Sequence, residues 1–126
     1  GKNDPKVIAI LDWELSTLGD PCADFNYHCL QYTMNPKLAD KEYCKSQGIP
    51  VIEDYVKIYS DKINIDLTEE WDLYTAYNLF KLAGILQGIL GRVRDGTAAH
   101  ENAAERASGV RNLSDTAWDL VKKNFI

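Results

Sequence analysis

Val7-Ile8-Ala9-Ile10-Leu11-Asp12-Trp13-Glu14 is the stretch on which the fold turns: five apolar residues run straight into an acid. β-Branching at Val7, Ile8 and Ile10 favours a strand. The run lacks polar alternation, which predicts burial on both faces. A carboxylate at the end of a buried strand is held by the sheet behind it and can serve chemistry. The same acid can instead cap the following turn. The residues alone leave both roles open for Asp12. A lone buried strand leaves its ladder groups unpaired, and nothing later in the sequence offers an equally strong strand. The expectation is that its partners lie in a preceding portion of the same domain.

Downstream, the pattern turns helical. Asn3-Asp4-Pro5 reads as a turn before the strand. After the loop Trp13–Gly19, Asp20 is a good N-cap with Pro21 at N1, opening a helix to about Tyr32 or Thr33. Asn35-Pro36 breaks it. Leu38 to Ser46 is weakly helical. Ile52, Tyr55, Val56, Tyr59 and Ile63 recur at three- and four-residue steps, and Thr68 is a plausible cap for the next helix. The longest element is expected from about Glu69 to Arg94, central and mostly buried. Leu82, Leu86 and Ile89 are placed in the core, with Trp71, Tyr74, Tyr77 and Phe80 on its apolar stripe. Gly84, Gly88 and Gly91 each cost a helix about 1 kcal/mol relative to Ala, which predicts a close helix crossing at Gly84 or Gly88. Asp95-Gly96 stops this helix. Thr97 to Gly109 is expected to form another, and Ser114 to cap a last one with Trp118, Val121 and Phe125 as its stripe.

Composition bounds the function. The 126 residues are 45% hydrophobic and 26% charged, which fits one folded domain or part of one. A net charge of −5 speaks against a nucleic-acid partner. No apolar run is long enough to span a membrane, and the polar start lacks a leader's apolar core. Cys22, Cys29 and Cys44 follow no disulfide spacing, so an intracellular, reducing compartment is expected. With His28, Cys22 and Cys29 lack zinc-type spacing and read as buried thiols.

The string Leu11-Asp12-Trp13-Glu14, followed by Gly19-Asp20-Pro21 and Asp24, resembles the aminoglycoside phosphotransferase and choline kinase-like family, whose fold is related to that of protein kinases. The longer run Ala9–Pro21, with Phe80-Lys81-Leu82-Ala83-Gly84-Ile85-Leu86-Gln87-Gly88, is most similar to the kinase-like domain associated with acyl-CoA dehydrogenases. The resemblance implies a mainly α fold: the C-terminal helical lobe of a protein kinase-like (α+β) phosphotransferase, with one short N-terminal β-strand. Residues 1–126 would be the C-terminal part of one such domain, lacking its nucleotide lobe and His-Gly-Asp…Asn catalytic loop. The intact parent would be a small-molecule kinase, using ATP and Mg²⁺ for phosphoryl transfer to a hydroxyl of a small metabolite, a hydroxyacid or its acyl-CoA. Asp12 would be the metal ligand and catalytic positioning residue, with Glu14, Asp20 and Asp24 in support. Lys81 would snorkel to solvent or meet an anionic group such as a CoA phosphate. The competing reading is a non-catalytic helical interaction module that kept this fold, or a docking surface beside a dehydrogenase.

Overall fold

Asp20 opens the helical part of the chain. In a computed structural model describing residues 6–100 and 102–126, and of Leu15, Arg106 and Phe125 the backbone alone, its Oδ1 accepts the Cys22 amide at 2.8 Å. Pro21 follows at the first helical position, and α1 spans Pro21–Met34. Two short helices, α2 (Pro36–Ala39) and α3 (Lys41–Ser46), are each capped by the side chain of the preceding residue, Asn35 and Asp40. Next come α4 (Ile52–Ile63), α5 (Trp71–Arg94), the single turn α6 (Ala103–Arg106) and α7 (Val110–Phe125).

Two apolar clusters hold these elements. One joins Cys22, Phe25 and Cys29 of α1 to Val56 of α4 and to Leu67, with Ile52, Tyr55, Tyr59 and Ile63 packed around them. Phe25 stacks on Tyr59 with centroids 3.9 Å apart and planes 2° apart. The other joins Leu30 of α1, Leu79 and Ala83 of α5, and Leu113 and Ala117 of α7. Between α1 and α5 runs a buried polar ladder. Asn26 Nδ2 donates to Thr75 Oγ1 at 2.9 Å, while Asn78 Nδ2 donates to Asn26 Oδ1 at 3.0 Å and to the Ala23 carbonyl at 2.9 Å. Each amide finds partners, as buried polar groups must.

The expected mainly α lobe of a kinase-like α+β fold is corrected here. The described residues form helices and no β-strand. Val7–Leu11 runs without regular structure and exposed, with Val7, Ile8, Ile10 and Leu11 between 78% and 86% accessible. The physical reason is the absence, among the described residues, of a second strand to complete a ladder. A 3₁₀ turn, Trp13–Leu15, ends this arm. The turn expected at Asn3-Asp4-Pro5 lies outside the described residues.

The α5 expectation is right in extent and wrong in facing. Its buried residues are Thr75, Ala76, Asn78, Leu79 and Ala83. Leu82 and Leu86 pack at the edge of the cluster, and Ile89 is half-buried. Tyr77 and Phe80 are exposed, at 56% and 70%. Among the described residues no helix crosses at the glycines: a Cβ added at Gly84, Gly88 or Gly91 would meet nothing of them within 4 Å. Thr68 does not cap α5; its amide and hydroxyl bond to Asp66 Oδ1. Ser114 lies inside α7, donating to the Val110 carbonyl at 3.0 Å. Trp118 is exposed, because the buried face of α7 is Leu113 and Ala117. The Phe125 side chain lies outside what is described.

Candidate functional site

The capped start of α1 also makes one wall of an open cleft of about 900 Å³. Ser16, Thr17 and Gly19 lead into this wall, Asp20, Pro21, Ala23 and Asp24 form it, and Leu73, Tyr74, Tyr77, Asn78 and Lys81 of α5 face it. Asp20 ties the walls together: Tyr74 Oη donates to its Oδ2 at 2.7 Å while its Oδ1 holds the Cys22 amide. The Tyr74 hydroxyl, and after it the Cys22 amide, hold the Asp20 carboxyl below the usual Asp range. The same bond, followed by burial, pushes the Tyr74 phenol upward. Lys81 Nζ lies 4.9 Å from the Tyr27 ring centroid, a cation–π contact at the cleft's edge.

The cleft collects some of the sequence candidates and leaves others out. Asp20 and Asp24 both line it. Asp12 and Glu14 do not; both are exposed, Asp12 with left-handed backbone (φ 57°, ψ 21°) and Glu14 inside the 3₁₀ turn. Asp and Asn visit that region more readily than most residues. His28 does not pair with Asp24. Its Nε2 sits 3.1 Å from Tyr55 Oη. The three cysteines are free and buried, and burial pushes the Cys29 thiol up to about 12.

An Mg²⁺ ion bridging phosphates would need several hard oxygen ligands. Among the described residues, no group of three or more His, Cys, Asp or Glu is placed to hold a metal ion. The residues present do not fit that ion, and no step through ATP and Mg²⁺ is derived from them.

Comparison with known proteins gives the same correction. The chain is 36% identical over 124 residues to acyl-CoA dehydrogenase family member 10 of Mus musculus, covering 94% of this chain and 12% of that protein. It is 35% identical over 124 residues to acyl-CoA dehydrogenase family member 11 of Homo sapiens, covering 95% and 16%. A probable acyl-CoA dehydrogenase of Arabidopsis thaliana is 33% identical over 129 residues, covering 95% and 15%. The chain is similar to a stretch of acyl-CoA dehydrogenase family proteins. It spans between 12% and 16% of the length of these curated relatives. No family model matches the chain, and no solved structure matches it. The kinase-like resemblance, and with it the small-molecule kinase, the phosphotransferase activity and the ATP and Mg²⁺ cofactors, is therefore corrected: these relatives are named as dehydrogenases, and the residues build neither the expected strand nor a metal site.

Sequence reasoning missed the polar ladder and the Asp20–Tyr74 tie. A signal for the ladder was present. Asn26 follows Phe25, and Asn78 precedes Leu79, inside otherwise apolar helical faces. An amide in such a place needs an internal partner once buried. No helix of the described residues is long and apolar enough to cross a membrane.

Proposed function

We propose that this chain is a non-catalytic helical interaction module of an acyl-CoA dehydrogenase-type protein, one part of a larger domain. The observation that carries this reading is the unpartnered apolar surface on either side of the cleft. Val7, Ile8, Ile10, Leu11, Trp13 and Leu18 stand exposed on the segment leading into one wall. Leu73, Tyr77 and Phe80, at helical spacing on α5, stand exposed on the other. Large apolar side chains left exposed in groups mark an interaction site.

In this reading Asp20 fixes the angle between α1 and α5, while Asp12 and Glu14 shape the turn at the foot of the arm. Asp24 and Lys81 supply polar contacts at the rim. The small-molecule partner of the whole protein is acyl-CoA-related, after the names of the relatives, and its reacting atoms are held elsewhere in that protein. The three free cysteines fit a reducing, intracellular compartment.

The double variant Tyr77→Ser, Phe80→Ser tests the docking role. Both side chains are exposed, so the separate 126-residue segment should keep its stability to within about 0.5 kcal/mol. In the full-length protein the same pair should lower the unfolding temperature by several degrees, because the covering contacts are lost there. Equal, small effects in both contexts would contradict the docking role.

A further inference from the structure

We infer that α5 pairs antiparallel with α5 of a second copy of this chain, about a two-fold axis at Gly84. This rests on the interaction-module reading above and names what covers the outer face of α5. Leu73, Tyr77, Phe80, Gly84, Gly88 and Gly91 recur at steps of three and four residues, so they share one stripe of the helix. The first five are exposed and Gly91 is half-buried. Large side chains occupy one half of the stripe and glycines the other.

That order makes the stripe complementary to itself. Phe80 and Gly88 lie four residues either side of Gly84, and Tyr77 and Gly91 seven residues either side. Turned end for end about Gly84, each ring of one copy meets a glycine of the other, and Gly84 meets Gly84. A two-fold contact requires this reciprocity. A parallel pair would set ring on ring and leave the glycines facing a gap, which close packing disfavours. Each glycine costs α5 about 1 kcal/mol relative to Ala, and a Cβ at any of the three meets none of the described residues within 4 Å. The seated rings of a second copy supply a contact that offsets this cost.

Charge favours the same direction. The N-terminal end of α5 carries Glu70 and Asp72, and its last turn carries Arg92 and Arg94. Asp95 is held by its neighbour Arg94. Antiparallel pairing brings the acids of each copy within about one turn of the other copy's arginines, and sets the two helix dipoles head to tail. Parallel pairing would place acids beside acids and arginines beside arginines. One helix pair buries less than the about 800 Å² per partner of a standard interface. The separate segment at dilution therefore keeps α5 bare. The pair forms in the full-length protein, where contacts along the rest of two copies add to it.

Disulfide trapping in the full-length protein tests both the occupant and the register, because a disulfide needs Cα atoms about 4.4–6.8 Å apart. The variants Gly84→Cys, Phe80→Cys and Gly88→Cys are oxidised mildly and compared with the parent, and solvent labelling of Tyr77 and Phe80 in the parent is read alongside. The expected result is a covalent dimer of Gly84→Cys, reversed by reductant. Phe80→Cys alone and Gly88→Cys alone should match the parent, while the two co-expressed should link to each other. That co-expressed pair carries the same test if Gly84→Cys does not fold. Self-linking of all three single variants would overturn the antiparallel register. No linking above the parent, with Tyr77 and Phe80 protected, would overturn the second copy and leave the module standing. No linking, with both residues labelled at the unfolded rate, would overturn both.

Discussion

Asp20 carries two bonds with two oxygens, and its removal separates two jobs. Asp20→Asn keeps an acceptor for the Cys22 amide, since Asn is also a good N-cap. Asp20→Ala loses that cap and the Tyr74 tie together. The Ala variant should melt below the Asn variant, and both below the parent, in thermal denaturation of the segment. The pH dependence has a definite sign. The folded Asp20 carboxyl is held below its usual value, so its contribution is present above the unfolded pKa and is lost as pH falls through the folded one. Acid titration below the ordinary Asp range should therefore release the cleft wall, and Tyr74→Phe should blunt that acid sensitivity. Asn78 makes a separate case. Removing its amide leaves Asn26 Oδ1 without its donor in a buried site. Asn78→Ala should cost about 1–3 kcal/mol in a denaturant titration. These residues show what the sequence discloses at this scale: Asp20-Pro21 reads as a cap because capping is local, whereas the Tyr74 tie joins residues 54 apart.

At the scale of elements, α5 is the informative case. Its length is legible because periodicity and the Asp95-Gly96 stop are local signals; Gly96 adopts φ 71° as a stop requires. Its facing is not, because apolar residues occur around much of the helix and only the positions of α1 and α7 decide which are covered. α4 is the opposite case. Ile52, Tyr55, Val56, Tyr59 and Ile63 mark a single stripe, and all five join the first cluster. Leu79, 1% exposed, sits in the second, and Leu79→Ala should cost about 2–5 kcal/mol. Gly84→Ala and Gly88→Ala should do the reverse in the separate segment. Each adds a Cβ into open space and should stabilise it by about 0.5–1 kcal/mol, read by denaturant unfolding. A destabilising effect in the segment would show that another helix approaches there.

At the scale of the molecule, the two helical clusters hold most of the apolar residues that the described chain buries, and the arm and the outer face of α5 are among the apolar surface left exposed. The arm explains why the fold was misread from sequence. Val7–Leu11 has the composition of a buried strand, and composition reports what a segment needs rather than what surrounds it. The candidate acids are divided for a related reason. Asp20 and Asp24 fall together because α1 carries both, but Asp12 sits across a left-handed turn whose direction no local pattern sets. The central claim is that the arm and the outer face of α5 are an interface. Covalent solvent labelling of Trp13, Tyr77 and Phe80 in the full-length protein, referenced to the same residues in the unfolded chain, tests it most directly. The account predicts strong protection of all three; labelling of all three at the unfolded rate would contradict it.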